Sequence, residues 1–80
     1  MQEKREEFRP QFQMLGLRIA LYRKKAGMTQ EQLAEKLGCS WSFISRIEAN
    51  NGKTITGASL YMIFKIAQVL DVPASKLFEE

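Results

Sequence analysis

Residues 40–46 of the chain contain three serines and one arginine. At helical spacing the outward face there carries Trp41, Ser42, Ser45 and Arg46, opposite an apolar face of Ile44 and Ile47. A guanidinium such as that of Arg46 can hydrogen-bond O6 and N7 of a guanine base together. This face therefore offers recognition of base edges, and a phosphate contact or exposure to solvent are the alternatives for Arg46.

Two short helices joined by a tight turn are predicted to position this face. The first follows Thr29, whose hydroxyl can accept a hydrogen bond from a free first-turn N–H, and Gln32 can complete a capping box. Gly38 ends that helix, because glycine readily takes the left-handed conformation, and Ser40 caps the next one. Residues 28–48 thus have the layout of a helix-turn-helix that reads DNA.

The whole chain is predicted to be α-helical, with one helix-turn-helix domain over residues 13–80. We expect helices at about 13–26, 29–37, 40–49, 58–70 and 74–79, with a loop from Ala49 to Gly57. The expected core stripes are Leu15, Ile19, Tyr22 and Ala26, then Leu33, Ala34 and Leu37, then Leu60, Ile63, Ile66, Ala67 and Leu70, closed by Leu77 and Phe78. Residues 1–12 are charged and Pro10 disfavours a continuous helix through them, so a partly ordered arm is predicted there.

Composition narrows the classes of protein that the chain can represent. Eighty residues suffice for one domain, and 45% hydrophobic with 26% charged residues is typical of soluble globular proteins. The single cysteine, Cys39, forms no internal disulfide and fits a reducing cytoplasm. Histidine is absent, which excludes a zinc finger, and no apolar run approaches the ~20 residues of a membrane span. We therefore expect a cytoplasmic protein with no metal, no cofactor and no membrane contact.

The net charge of +3 is unevenly distributed along the chain. Residues 13–53 carry a net charge of +4, whereas residues 1–12 are neutral overall and residues 54–80 carry −1. Positive charge therefore surrounds the two-helix motif, as a phosphate-facing surface requires. A solvated charged face would give the same distribution, so charge alone does not decide for nucleic acid.

A series of different short motifs runs from the first predicted helix to the last. They are Leu15-Gly16 with Ile19 and Arg23, Met28 to Ala34, Ile44 to Glu48, Ser59-Leu60 with Ile66-Ala67, and Leu77-Phe78. Over about residues 14–78 this series resembles the lambda-repressor-like helix-turn-helix proteins, also called the XRE family. The resemblance implies an all-α, compact five-helix domain that binds double-stranded DNA as a dimer and regulates transcription.

The resemblance also implies roles for individual residues. Gln30 matches a position that touches phosphate and braces the reading helix. The positions that face bases and phosphates are matched by Ser40, Trp41, Ser42, Ser45 and Arg46. Arg23 and Glu48 match a pair that forms a salt bridge between helix 1 and the end of helix 3. Trp41 is unusual at a position that is often polar, and packing on a thymine methyl, lying along the sugar-phosphate backbone and folding into the core all stay open.

The chain departs from the family pattern in the connection between Glu48 and Leu60. This loop is several residues longer than usual, and in related proteins it touches phosphates and can border the dimer interface. The resemblance therefore implies candidate phosphate contacts at Asn50, Asn51, Lys53 and Thr54.

A second departure is a surplus of apolar surface. Helix 1 carries a second stripe of Met14, Leu17 and Leu21. The outer side of helix 4 is expected to carry Tyr61, Met62 and Val69. Monomers of this size rarely leave such patches in water, so either Phe8 and Phe12 of the N-terminal arm cover one of them, or they mediate association of subunits.

The function expected from these observations is sequence-specific binding of double-stranded DNA by a transcriptional regulator. It would act as a homodimer on a near-palindromic operator and read the major groove with helix 3. The alternative is an antitoxin-like or other protein-interaction module of the same fold. An enzyme is disfavoured, because the chain has no histidine base, carboxylate pair, phosphate loop or metal cluster. Eighty residues leave no room for an effector domain, so no small-molecule ligand is expected.

Overall fold

The computed structural model describes residues 5–49 and 56–79 of the chain. Over these residues it has four α-helices: α1 (Arg9–Lys25), α2 (Gln30–Leu37), α3 (Trp41–Ala49) and α4 (Leu60–Leu70). Two short 3-10 helices, Arg5–Phe8 and Ala74–Leu77, stand at either end. The all-helical fold class is confirmed, whereas the prediction of five α-helices is wrong. The expected fifth helix is a four-residue 3-10 turn, too short for the i→i+4 ladder of a stable α-helix.

Helix α1 begins at Arg9, four residues before the predicted start at residue 13. Pro10 lies in its first turn, where a missing N–H costs nothing because it would have no partner inside the helix. Proline therefore starts this helix instead of preventing it. The helix ends at Lys25, and Gly27 then takes a left-handed conformation with φ of 75°. Ala26 lies beyond the last turn and is exposed, contrary to its predicted place in the core.

Local capping fixes the ends of α2 and α3. The Thr29 hydroxyl accepts the N–H of Gln32 at 3.1 Å, and the Gln32 side chain accepts the N–H of Thr29 at 2.8 Å, which completes the predicted capping box. Gly38 is left-handed, with φ of 71°, and ends α2. The Ser40 hydroxyl accepts the N–H of Phe43 at 3.2 Å and so caps α3. The turn between the two helices is thus formed by the capping residues that the sequence predicts.

Helix α4 starts two residues later than predicted, after the cap Ser59. Leu60, expected in the core, is 70% exposed, because it stands at the first position of the helix, one turn before Ile63, where the buried layer begins. Phe78 is also exposed, at 59%, because it follows the last 3-10 turn, in which Leu77 already fills the core. Periodicity placed both residues correctly on a helix or turn, but it did not show where the core stops.

One apolar cluster joins the four α-helices and the final 3-10 turn. Its buried members are Leu15, Ile19, Leu33, Ala34, Leu37, Ile44, Ile47, Ile63, Ile66, Ala67, Leu70 and Leu77. Helix α3 lies between α1 and α2, while α4 packs on α2 and on the final 3-10 turn. Met62 and Val69, which were predicted on the outer side of α4, are half-buried against this core. Phe64, which was not singled out, is exposed there instead.

The backbones of helices α1 and α3 are in close contact at Gly16. A Cβ atom on Gly16 would lie 2.9 Å from the backbone carbonyl oxygen of Glu48, and closer still to that of Ile47. No side chain fits in that space, so glycine is required for the helices to cross there. This contact brings the carboxyl-terminal half of α3 directly against the first half of α1.

The second apolar stripe of α1 is exposed, and the sequence left open whether the N-terminal arm would cover it. Met14, Leu17 and Leu21 all reach solvent, and Leu17 does so with 62% of its surface. Phe8 is itself half exposed and leaves Leu17 uncovered. Among the described residues, no helix is long and apolar enough to cross a membrane.

Candidate nucleic-acid interface

A buried ion pair holds the end of α3 against α1. Nε of Arg23 donates to Oε2 of Glu48 at 2.6 Å, and Nη2 donates to Oε1 at 3.0 Å. Both residues are more than 90% buried. The remaining terminal nitrogen of Arg23 donates to the backbone carbonyl of Met28 at 2.8 Å, just before α2. One guanidinium thus joins α1, the start of α2 and the end of α3 in a planar, two-pronged geometry.

Gln30 extends this network to the beginning of α3. Its Nε2 donates to Oε1 of Glu48 at 2.9 Å, and its Oε1 accepts the indole N–H of Trp41 at 3.1 Å. Because Trp41 opens α3 and Glu48 stands near its last residue, one amide at the first position of α2 is bonded to both ends of the helix. The angle of α3 to the rest of the domain is therefore set by directional hydrogen bonds as well as by packing.

The Trp41 ring does not enter the core. Its residue is 51% exposed, and its N–H is satisfied by Gln30 at the surface. Of the three alternatives that the sequence left open, burial in the core is therefore excluded. The two contacts with DNA, to a thymine methyl or along the sugar-phosphate backbone, both fit a half-exposed ring beside the start of α3.

The outward face of α3 is polar and open to solvent. The hydroxyls of Ser40 and Ser42 lie 3.2 Å apart, and Ser45 is half-buried. Arg46 is exposed, and its Nε donates to the backbone carbonyl of Ser42, one turn back, at 3.2 Å. The structure thus brings the predicted reading residues together on one side of a helix whose other side is anchored.

The predicted loop contacts cannot be placed beside them. Asn50, Asn51, Lys53 and Thr54 lie outside the described residues. Their contact with phosphate stays a prediction.

Cys39 sits in the turn between α2 and α3 and is half-buried against the core. Burial raises the pKa of its thiol, although the positive charge of Lys65 acts in the opposite direction. The thiol therefore stays protonated at neutral pH and behaves as a small apolar group. Lys65 itself donates to the backbone carbonyl of Leu37 at 3.4 Å, at the negative end of α2.

Sequence reasoning missed three of these features. The Gln30–Trp41 and Lys65–Leu37 bonds join residues far apart in the chain, and no local pattern announces them. Gly16 did leave a signal, because an isolated glycine inside an apolar helical pattern costs about 1 kcal/mol relative to alanine and implies a packing reason. That reason is the backbone of α3.

Comparisons with known sequences agree with this geometry. A family profile described as helix-turn-helix matches residues 19–77. The HTH-type transcriptional regulator SinR of Bacillus subtilis (strain 168) is 40% identical over 67 residues, which are 84% of this chain and 58% of SinR. An uncharacterized HTH-type transcriptional regulator of Sinorhizobium medicae (strain WSM419) is 41% identical over 82% of this chain and 45% of that protein. The chain thus spans about half the length of these relatives.

Solved structures with the same fold include DNA-binding proteins. The crystal structure of SinR, the master regulator for biofilm formation, in complex with DNA superposes with a TM-score of 0.71 at 37% identity, covering 81% of this chain and 98% of that one. The restriction-modification controller protein C.AhdI from Aeromonas hydrophila superposes with a TM-score of 0.73 at 30% identity, covering 84% and 96%. With its braced α3 and its capped turn, the chain belongs to the XRE-type helix-turn-helix family of transcriptional regulators.

Proposed function

We propose that this chain binds double-stranded DNA sequence-specifically, places α3 in the major groove, and regulates transcription. The observation that carries the proposal is the bracing of α3, in which Gln30, Arg23 and Glu48 hold the helix while its polar outward face stays free. Base readout requires such pre-positioned side chains, because hydrogen bonds to base edges tolerate little displacement. The similarity to SinR, which has been crystallised with DNA, supports the same conclusion.

Within this proposal the residues of the interface divide by role. Arg46, Ser42 and Ser45 face the bases, and Ser40, Gln30 and Trp41 lie where the start of α3 meets the phosphate backbone. The loop residues Asn50, Asn51 and Lys53 add phosphate contacts. Phosphate contacts fix the register on the duplex, and base contacts select the sequence.

Selection of bound sites from random duplex DNA with the purified chain tests the proposal directly. A specific protein enriches one motif, and its affinity falls as salt rises because counterions are released from the phosphates. Lys76→Ala is the control for net charge, because it removes one positive charge from the final 3-10 turn and none from α3. Enrichment of no motif, or equal affinity for selected and scrambled sites, would refute sequence-specific binding.

The homodimer is proposed to form through one surface of α4. We call this surface the α4 face; its residues Leu60, Tyr61 and Phe64 are all exposed. The neighbouring Lys65 is already engaged by the Leu37 carbonyl and stands 5.8 Å above the Tyr61 ring, so it leaves the surface largely apolar. Two copies related by a two-fold axis would bury this face and present two α3 helices to successive major grooves about 34 Å apart. The selected site would then be a near-palindrome.

Sedimentation of the double variant Leu60→Ser, Phe64→Ser tests the dimer. We expect the unaltered chain to be dimeric at micromolar concentration and the variant to be monomeric with its fold intact. The double variant Leu17→Ser, Leu21→Ser, on α1, is the matched control and should stay dimeric. A monomer at high concentration, free and on DNA, would overturn the homodimer.

A second candidate function is a protein-interaction module. The observation in its favour is that the α1 stripe of Met14, Leu17 and Leu21 is exposed in addition to the α4 face. A SinR protein/SinI protein complex is also among the similar structures, at 38% identity over 82% of this chain and 61% of that one. Binding of a partner protein and binding of DNA are compatible when they use different surfaces.

A further inference from the structure

The exposed stripe of α1 continues into a groove at the amino-terminal end of the helix. We call the stripe of Met14, Leu17 and Leu21 the α1 face. The groove has a volume of about 530 Å³ and is lined by Pro10, Gln11, Met14, Leu15, Leu77 and Phe78. Met14 belongs to both surfaces, so the apolar surface runs unbroken from the groove along the helix. Methionine adapts its shape to different partners, which suits a docking surface.

The charged side chains that α1 itself carries beside the α1 face have a single sign. Helix α1 contains five basic residues and no aspartate or glutamate. At about 100° per residue, Lys24 lies on one side of the stripe, while Arg18 and Lys25 lie on the other. Both lysines are exposed. Nε of Arg18 is buried and, within the described part of the chain, has no hydrogen-bond partner. The α1 face is therefore an apolar strip between two basic margins.

We propose that the α1 face docks an acidic amphipathic helix of a partner protein. Apolar residues of that helix, spaced at i, i+3 or i+4, and i+7, would lie on Leu17 and Leu21, and one bulky side chain would enter the groove beside Met14. Carboxylates on both flanks of the helix would then face Lys24, Lys25 and Arg18. This is the helix-in-groove mode of recognition, with charge complementarity selecting the partner and its orientation.

Charge distinguishes this occupant from a second copy of the chain. Pairing two α1 faces would bring together two helices whose charged side chains are all basic, with no acidic residue on α1 to offset them. The α4 face has one cation beside it, Lys65, whose ammonium donates to the Leu37 carbonyl and lies over the Tyr61 ring. Self-association therefore fits the α4 face, and an acidic partner fits the α1 face. The inference deepens the second candidate function and does not depend on DNA binding.

Two designed 18-residue helical peptides test the proposal against the full chain. Both carry the same leucine and phenylalanine stripe, and they differ only in having glutamates or lysines on the flanks. We expect the glutamate peptide to bind at least about tenfold more tightly than the lysine peptide and to weaken as salt rises. Equal affinity of the two peptides, or binding of neither, would overturn the proposal.

Two variants locate the bound peptide. Leu17→Ser with Leu21→Ser should weaken binding of the glutamate peptide by about tenfold or more, since the anchor contacts are lost. Lys24→Glu with Lys25→Glu should reverse the preference in favour of the lysine peptide. The matched control Leu60→Ser with Phe64→Ser should bind the glutamate peptide unchanged. Loss of binding in this control alone would place the peptide on the α4 face and refute the assignment.

Other occupants give different results. Vesicles of phosphatidylglycerol, compared with vesicles of phosphatidylcholine, test an anionic membrane, and binding to them that outcompetes the glutamate peptide would overturn a protein partner. Dissociation of a dimer by Leu17→Ser with Leu21→Ser would identify a second copy as the occupant. DNA affinity of Leu17→Ser with Leu21→Ser, which changes no charge, should equal that of the unaltered chain, so failure here is distinguishable from failure of DNA binding.

Discussion

The inner and outer sides of α3 are constructed for different tasks. On the inner side, Glu48 is buried and receives hydrogen bonds from both Arg23 and Gln30, and the helix backbone presses against Gly16. On the outer side, Ser42 and Arg46 are exposed, and among the described residues their side chains bond only within α3 and to its cap Ser40. The side chains of the inner side are held by hydrogen bonds and close packing, whereas those of the outer side are free to change conformation when a ligand binds. Substitutions on the two sides should therefore separate stability from binding.

The largest effect is expected from Glu48→Ala. Removing the carboxylate leaves the buried Arg23 guanidinium without its anionic partner, which should lower the free energy of unfolding by about 3–5 kcal/mol. Urea denaturation measures this. The control is Glu79→Ala, which breaks an exposed ion pair with Lys76 of 3.3 Å and should cost less than about 1 kcal/mol.

The double variant Arg23→Leu, Glu48→Leu sharpens that test. Because it removes both charges together, it should recover much of the stability that Glu48→Ala loses. DNA affinity need not return with stability, since the angle of α3 would no longer be set by hydrogen bonds. Strictly additive losses from the two single changes would contradict an energetic coupling of the pair.

Gly16→Ala should also destabilise the inner side. Alanine favours a helix over glycine by about 1 kcal/mol, but its Cβ would collide with two backbone carbonyls of α3 that cannot rotate away. Overpacking of this kind costs about 1–3 kcal/mol, so after the gain in helix propensity we expect a net loss of stability of up to about 2 kcal/mol. Thermal unfolding measures the change. A variant that is more stable than the unaltered chain would show that α1 and α3 can move apart at this position.

Arg46→Ala tests the outer side. It should leave stability within about 0.5 kcal/mol, because the side chain is exposed. Affinity for the selected DNA site should fall by about 1–3 kcal/mol, with relaxed preference at one base pair in each half-site. Titration against selected and scrambled duplexes measures both, beside Lys76→Ala as the control for net charge. Equal weakening on every sequence would make Arg46 a phosphate contact.

The smallest effect is expected from Trp41→Phe, at the boundary of the two sides. The change removes the hydrogen bond to Gln30 but keeps an apolar ring, and water can replace the lost donor at this exposed position. Stability should fall by less than about 1 kcal/mol. Retained DNA affinity would favour packing of the ring on a thymine methyl. A stability loss as large as that of Glu48→Ala would instead make Trp41 part of the inner side.

The helix-turn-helix could be predicted from sequence because its ends are fixed by neighbouring residues. Thr29 and Gln32 satisfy backbone groups at the start of α2, and Gly38 ends the helix in a left-handed conformation. Each of these effects acts within a few residues, so a local pattern is enough to predict it. Pro10 was harder, because the same residue starts a helix in the first turn and breaks one further in. No local pattern around Pro10 distinguishes the two positions.

The limits of the core and the bracing of α3 depend on tertiary structure. Leu60 and Phe78 follow an apolar pattern but lie past the end of the buried layer, and periodicity does not encode where that layer stops. Gln30 and Glu48 are 18 positions apart and meet only because α1, α2 and α3 pack together. A family resemblance pointed to these positions, whereas the residues alone showed no reason for their contact.

The carboxylate of Glu48 has a consequence for how the chain can change over time. Its hydrogen bonds point inward, to Arg23 and Gln30, and none involves Ser42, Ser45 or Arg46. The side chains that would choose a DNA sequence can therefore be exchanged without disturbing the support of the helix that displays them. If the proposed function holds, new target sites would be accessible by single substitutions on one surface, with the framework kept intact.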